Sequence, residues 1–224
     1  MAIDFNYENK LREKYGYPPA SASPRDGVRD LCIAGLDEVG RGPLAGPVTV
    51  GAFVFLNNPK GGFDHPLGLL RDSKLLSAKQ REKLYEYFCE LKKGGKVDFA
   101  TASVFPRTID KKHIHHATAL AMQRAVQKLD KKPDYALIDG FRYPGKILKE
   151  VEYSTMPKAD NLIPSVAAAS IVAKVKRDAS MVRYHKKYPQ YRFDLHKGYG
   201  TELHYKMLKK HGPSHIHRQS FRLY

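Results

Sequence analysis

Cysteine is scarce in this chain: Cys32 and Cys89 are the only two among 224 residues. Two thiols cannot build a disulfide framework, and both lie in apolar contexts, so they read as buried thiols of a reducing compartment. No apolar run reaches the length of a membrane span. The N-terminus lacks the basic start, apolar middle and small-residue cleavage site of a secretory signal, and a cytoplasmic protein is expected. Internal repeats and low-complexity tracts are missing as well. Acid is in deficit, with 23 Asp and Glu against 39 Lys and Arg, a net charge of +16. That excess favours a polyanion as partner, DNA or RNA ahead of an acidic membrane face, over a merely solvated basic surface. The hydrophobic share of 42% and charged share of 28% exclude a disordered chain, and the length suits one domain with a sizeable core.

What is present centres on residues 33–48, Ile-Ala-Gly-Leu-Asp-Glu-Val-Gly-Arg-Gly-Pro-Leu-Ala-Gly-Pro-Val. An apolar run leads into two adjacent acids, Asp37 and Glu38. A loop of two glycines around one arginine follows, Gly40-Arg41-Gly42, and then a second apolar run from Val48 to Leu56. The two runs read as an antiparallel pair of strands with the acids leaving the end of the first. Adjacent carboxylates in a basic protein are accounted for by a divalent metal that offsets their repulsion, or by a turn that simply ends in charge. In the loop, glycines let backbone N–H groups approach a ligand, and an arginine suits a phosphate.

Elsewhere the same design recurs. Residues 6–15 suit a short helix, and the proline-rich stretch 18–24 breaks regular structure. Residues 57–68 form a loop, followed by Asp72-Ser73-Lys74, a polar turn when taken alone. Ser77 caps a helix whose apolar face holds Leu84, Tyr87, Phe88 and Leu91, closed by Gly94-Gly95. Val97 to Phe105 alternates as a third strand. Ile114, Ala117, Ala121, Ala125 and Leu129 mark a second helix that starts near His113, His115 and His116. Adjacent histidines diverge on a helix, which disfavours a metal site there. Tyr135 to Asp139 is a short buried-type strand ending in an acid and Gly140, which makes Asp139 a neighbour of Asp37 beyond the strand ends. An edge strand is expected near Ile147 to Tyr153. Pro164 opens an alanine-rich helix that can lie close on a sheet, with Asp160 just ahead of it as a ligand or a helix cap. Asp178 stands four residues after Lys174, the spacing of an exposed ion pair. From Tyr184 onward aromatics interleave with basic residues, a mixture suited to stacking beside phosphate contacts, although packing is the better account of most of these rings.

Four acids at separated strand or helix ends of a basic α/β chain suggest two-metal phosphodiester chemistry. The chain resembles the bacterial-type ribonuclease HII family, the type 2 ribonucleases H. The resemblance rests on residues 35–48, Asp72-Ser73-Lys74, Ile138-Asp139-Gly140, Lys158-Ala159-Asp160, residues 167–178, Gly198-Tyr199-Gly200-Thr201, and Gly212-Pro213 through Ile216-His217-Arg218 with Ser220-Phe221. It implies a ribonuclease H-like α/β fold, a central mixed five-stranded sheet flanked by helices with additional C-terminal helices, over residues 31–224 behind a lead-in of residues 1–30. It carries the family's metal-binding catalytic acids onto Asp37, Glu38, Asp139 and Asp160, which would hold two Mg²⁺ or Mn²⁺ ions. It places Gly40, Arg41, Gly42 and Tyr199 at the junction between a ribonucleotide and the following deoxyribonucleotide, Lys74 near the scissile phosphate, and Ser170 and Lys174 on the DNA backbone. The implied reaction is hydrolysis 5′ to a ribonucleotide in RNA/DNA hybrids or duplex DNA, leaving 3′-hydroxyl and 5′-phosphate ends.

His113 departs from the family's usual asparagine at a helix start, and the lead-in and the loop 57–68 are longer than usual. The sister type, ribonuclease HIII, is disfavoured by Arg41 and by the short lead-in. A non-catalytic basic nucleic-acid-binding protein is the alternative from another class. A monomer is expected. The tail 219–224 either packs on the domain, the favoured expectation, or docks weakly on a sliding clamp.

Overall fold

In the computed structural model, residues 4–15, 31–56, 70, 76–140 and 147–224 are described. Five strands, β1 (Ile33–Val39), β2 (Val48–Phe55), β3 (Val97–Val104), β4 (Tyr135–Asp139) and β5 (Glu152–Met156), form one sheet in the order β3-β2-β1-β4-β5. β2 is antiparallel to β1 and β3, whereas β4 is parallel to β1 and β5, so the sheet is mixed. Helices α1 (Asn6–Lys14), α2 (Ala78–Lys93), α3 (Pro106–Gln127) and α4 (Pro164–Lys187) pack around it, and α5 (Phe193–His196) and α6 (Glu202–His211) follow. This is the expected α/β architecture.

Side chains of a strand alternate between its faces, and the two faces here meet different helices. Ala34, Leu36, Ala136 and Ile138 pack with Ala117, Ala121 and Ala125 of α3. Ile33, Tyr135 and Leu137 pack instead with Ile163, Val166 and Leu11, at the start of α4 and on α1. By the same alternation Asp37 and Asp139 fall on the α4 face, and Glu38 falls on the α3 face. The parallel pairing of β1 and β4 ends at Leu36 and Ile138, so Asp37 and Asp139 each stand one step further along.

Two glycines bring α4 down onto that face. A Cβ on Gly35 would stand 2.2 Å from the backbone carbon of Ser165, and one on Gly51 would stand 2.2 Å from the carbonyl oxygen of Ala169. Gly51 is the antiparallel partner of Asp37. The close approach therefore delivers the residue after Ala169, which is Ser170, to the acid.

Helix α2 begins as expected, with a capping box between Ser77 and Gln80. Helix α3 does not. It starts at Pro106 rather than near His113, and His113 is a bend inside it, with φ 60° and ψ 157°. Proline is well suited to the first helical turn, but the turn it opens carries little apolar periodicity. Strand β5 lies several residues later than expected, because Ile147, Leu148 and Val151 are buried against the α3 layer without belonging to a strand. Cys32 is buried as expected, but Cys89 is only half-buried. Helix α1 is a packed element: buried Glu8 accepts a hydrogen bond from the Ser165 hydroxyl at 2.5 Å, and burial pushes its carboxyl up to about 7. Among the described residues no helix is long and apolar enough to cross a membrane.

Candidate active site

Asp37 is the centre of the acidic group. It is buried, with its carboxyl raised well above the usual range by burial first, then by the charge of Glu38, and also by those of Asp139 and Asp160. A hydrogen bond with the Ser170 side chain works in the opposite direction. A buried carboxylate under the charge of three others is unstable unless protonated or neutralised by a cation. The other acids have local contacts. Glu38 accepts from Arg41 Nη1 at 3.1 Å, and the Ala159 N–H donates to Asp139 Oδ1 at 2.7 Å. Asp160 is buried in the 3₁₀ turn Ala159–Asn161 ahead of α4. Among the described residues, no three Asp, Glu, His or Cys side chains stand close enough to hold an ion as placed. The donor set nonetheless suits one: hard carboxylate oxygens, converging in charge on one buried acid, match Mg²⁺ or Mn²⁺ rather than a soft metal.

Arg41 links the acids to the glycine loop, its Nη2 donating to His115 Nδ1 of α3 at 3.2 Å. Gly40 is required by the fold, with φ +89° and a Cβ position 2.0 Å from Arg177 Nε. Gly42 is exposed, and a Cβ there would meet nothing within 4 Å, so packing places no demand on it. The loop is held from below by two buried arginines that residue spacing alone did not single out. Arg218 donates from Nη2 to Gly40 O and Gly46 O at 2.6 and 2.9 Å, from Nη1 to Arg41 O at 2.7 Å, and from Nε to Gly46 O at 3.0 Å. Burial and then the neighbouring Arg177 bring its guanidinium down to about 9. Arg177 donates to the carbonyls of Pro47, Ala45 and Lys197.

Tyr199 stands beside this loop with its side chain exposed, the Arg177 guanidinium 5.6 Å and the Lys174 ammonium 5.9 Å from its ring centre. Ser170 is placed on Asp37. Lys174 pairs with Asp178 at 3.0 Å, the predicted spacing. Lys74 lies outside the described residues. A cavity of about 240 Å³ among the described residues is lined by Gln123, Leu129, Lys132, Leu148 and Val151, and none of the four acids lines it. An acidic group in a chain of net charge +16 suits a polyanionic substrate.

Behind Tyr199 lie three buried histidines, His196, His204 and His217. Burial brings His204 and His217 each down to about 4, and lowers His196. Unfolded imidazoles bind protons near pH 6.5, so between that pH and about 4 the unfolded chain holds more protons than the folded one. Stability contributed by the neutral pair is complete above pH 6.5 and is lost as the pH falls, on the order of a few kcal/mol in all. Urea unfolding at pH 7.5 and pH 5 should show this loss, and His204→Phe/His217→Phe should flatten it.

The basic α/β body, the acids at the ends of β1 and β4, and the relatives that match it together define a nuclease hydrolase. A family model described as Ribonuclease HII matches residues 34–224. A ribonuclease HII of Shewanella loihica is 47% identical over 199 residues, covering 87% of this chain and 90% of the relative. Among solved structures, ribonuclease H2 from Pyrococcus horikoshii OT3 is 28% identical with a TM-score of 0.69, over 86% of this chain and 95% of that one. RNase HII in the PCNA complex from Archaeoglobus fulgidus is 27% identical with a TM-score of 0.65, over 87% and 96%. The chain belongs to the ribonuclease HII family, and its activity is that of a ribonuclease H endonuclease.

Proposed function

We propose that the chain cuts the phosphodiester on the 5′ side of a ribonucleotide, in RNA/DNA hybrids and at single ribonucleotides in duplex DNA, leaving 3′-hydroxyl and 5′-phosphate ends. The observation that carries this reading is the loading of buried Asp37 by the charges of Glu38, Asp139 and Asp160. These four side chains would hold two divalent ions, Mg²⁺ or Mn²⁺, which when bound supply an activated water and stabilise the leaving oxygen. The protein's residues do the rest. Ser170 orients Asp37 through its hydroxyl. Arg41, steadied by Glu38 and His115, offers a guanidinium to a backbone phosphate. Exposed Gly42, with open space where a side chain would be, lets the loop backbone reach a 2′-hydroxyl, the group that separates ribose from deoxyribose. Tyr199 presents its ring to the next sugar, where a second hydroxyl would crowd it. Lys74 is assigned to the scissile phosphate and Lys174 to the DNA backbone on the family resemblance.

Residues 31–224 constitute the catalytic unit in this reading, with residues 1–30 as a lead-in, and the protein acts as a monomer. The tail favours packing over clamp docking, since Leu223 is buried with Leu44 and Leu208. The clamp complex of the archaeal neighbour keeps docking open to test: deletion of residues 222–224 should leave clamp binding unchanged. The test of the activity is cleavage of a duplex with one embedded ribonucleotide, with Mn²⁺ or Mg²⁺ and then with EDTA. A metal-dependent nick 5′ to the ribonucleotide is expected. Cleavage confined to runs of several ribonucleotides would refute the junction-reading role of Gly42 and Tyr199.

A further inference from the structure

The three histidines behind Tyr199 are joined in a manner that leaves no choice of tautomer. The backbone N–H of Ser214 donates to Nδ1 of His217 at 2.8 Å, so that nitrogen is bare and the proton sits on Nε2. Nε2 of His217 lies 3.0 Å from Nε2 of His204, which must therefore accept. The His204 proton is left on Nδ1, which donates to the carbonyl of Tyr199 at 2.9 Å. His196 is fixed separately. Its Nδ1 accepts from the Gly198 N–H at 3.1 Å, its Nε2–H donates to Tyr191 O at 2.7 Å, and its ring stacks on His204 at 4.3 Å. The Tyr199 peptide is held on its other side too, its N–H donating to His196 O at 2.9 Å. A fixed backbone thus carries an exposed ring.

We propose that His217 and His204 are positioning residues for junction recognition: a one-way hydrogen-bond chain, Ser214 N–H to His217 to His204 to Tyr199 C=O, sets where the Tyr199 ring meets the sugar after the ribonucleotide. The proposal rests on Tyr199 reading that sugar. Both imidazoles lie inside the protein, boxed by the rings of Tyr191, Phe193 and His196, and neither reaches the acids. Their low proton affinity agrees with a chain that works only when every member is neutral. Two features separate this arrangement from ordinary core packing. The chain runs from one loop to another with its direction set at the first donor, and it ends on the backbone of Tyr199, whose ring faces solvent.

The experiment compares kcat/KM for a duplex with a single ribonucleotide and for an RNA/DNA hybrid whose RNA strand contains no deoxyribonucleotide, and takes the ratio as the selectivity. Variants are His204→Phe, His217→Phe and the double replacement, with Tyr199→Ala as reference. The double variant leaves no imidazole donor stranded, and urea unfolding at pH 7.5 shows which variants are folded before the ratio is read. Selectivity is expected to fall about ten- to a hundredfold, the scale of an ångström-sized misplacement. The double variant should lose no more than either single one, because one chain is being cut. Equal losses on both substrates, with the ratio unchanged in His204→Phe, His217→Phe and the double variant while Tyr199→Ala lowers it, would overturn the relay and leave Tyr199 in its role. An unchanged ratio in Tyr199→Ala would overturn the junction reading itself, and the relay with it.

Discussion

Asp37→Asn is expected to lower metal-dependent cleavage by about a thousandfold or more, the cost of removing an indispensable group from a preorganised site. In the same variant the metal-free protein should melt at a higher temperature than the parent. Both effects follow from one position. Asp37 is buried under the charges of Glu38, Asp139 and Asp160, and its carboxyl is raised accordingly. A raised carboxyl makes its contribution to stability below the pH at which the unfolded group titrates, and loses it as the pH climbs through the folded value. Above the pH at which the unfolded group titrates, the raised Asp37 carboxyl therefore costs the metal-free fold stability. Asparagine has the same shape, keeps an oxygen for Ser170 and carries no charge. Melting with EDTA and then with Mn²⁺ separates the two effects: the parent should gain stability from the ion and the variant should gain little. Parent-like cleavage by Asp37→Asn would remove Asp37 from the metal site.

Arg218→Met should destabilise the protein by about 3–5 kcal/mol, measured by urea unfolding at pH 7.5. The side chain is fully buried, and its guanidinium satisfies the carbonyls of Gly40, Arg41 and Gly46. Methionine fills much of the volume but leaves those oxygens buried without that donor. Arg218→Lys should recover only part of the loss, since an ammonium has no planar fork to span three carbonyls. Cleavage should fall in step, because the same carbonyls define the loop that carries Arg41 and Gly42. A loss below about 1 kcal/mol would mean that the loop is held by other contacts.

Much of the fold was legible because its signals are local. Apolar runs bounded by turn residues marked β1, β2 and β4, and Ser77 as a cap marked the start of α2. The position of Asp139 beside Asp37 followed from two apolar strands that each end in an acid. What escaped the sequence depends on distant partners. Nothing near Arg177 or Arg218 announces that each serves backbone carbonyls at least 130 residues away along the chain. Gly35 and Gly51 read as ordinary strand residues until α4 is laid on them. The bend at His113 was hidden for the opposite reason: its φ of 60° is held by a residue that gives no local sign of it. The tail of apolar residues from Ile147 to Val151 imitated a strand because burial, whatever its cause, selects the same side chains.

The hold of Arg218 on the glycine loop also sets an order of events. Its bonds to Gly40 and Gly46 close a span of 172 to 178 residues, so during synthesis the sheet can form well before the loop acquires its final shape. Contacts of such separation close late. A ribosome-bound chain that has made all five strands and the turn at Asp160, but not yet residue 218, would possess the four acids without the contacts that fix the loop. The final shape of the glycine loop is among the last features of this fold to be assembled.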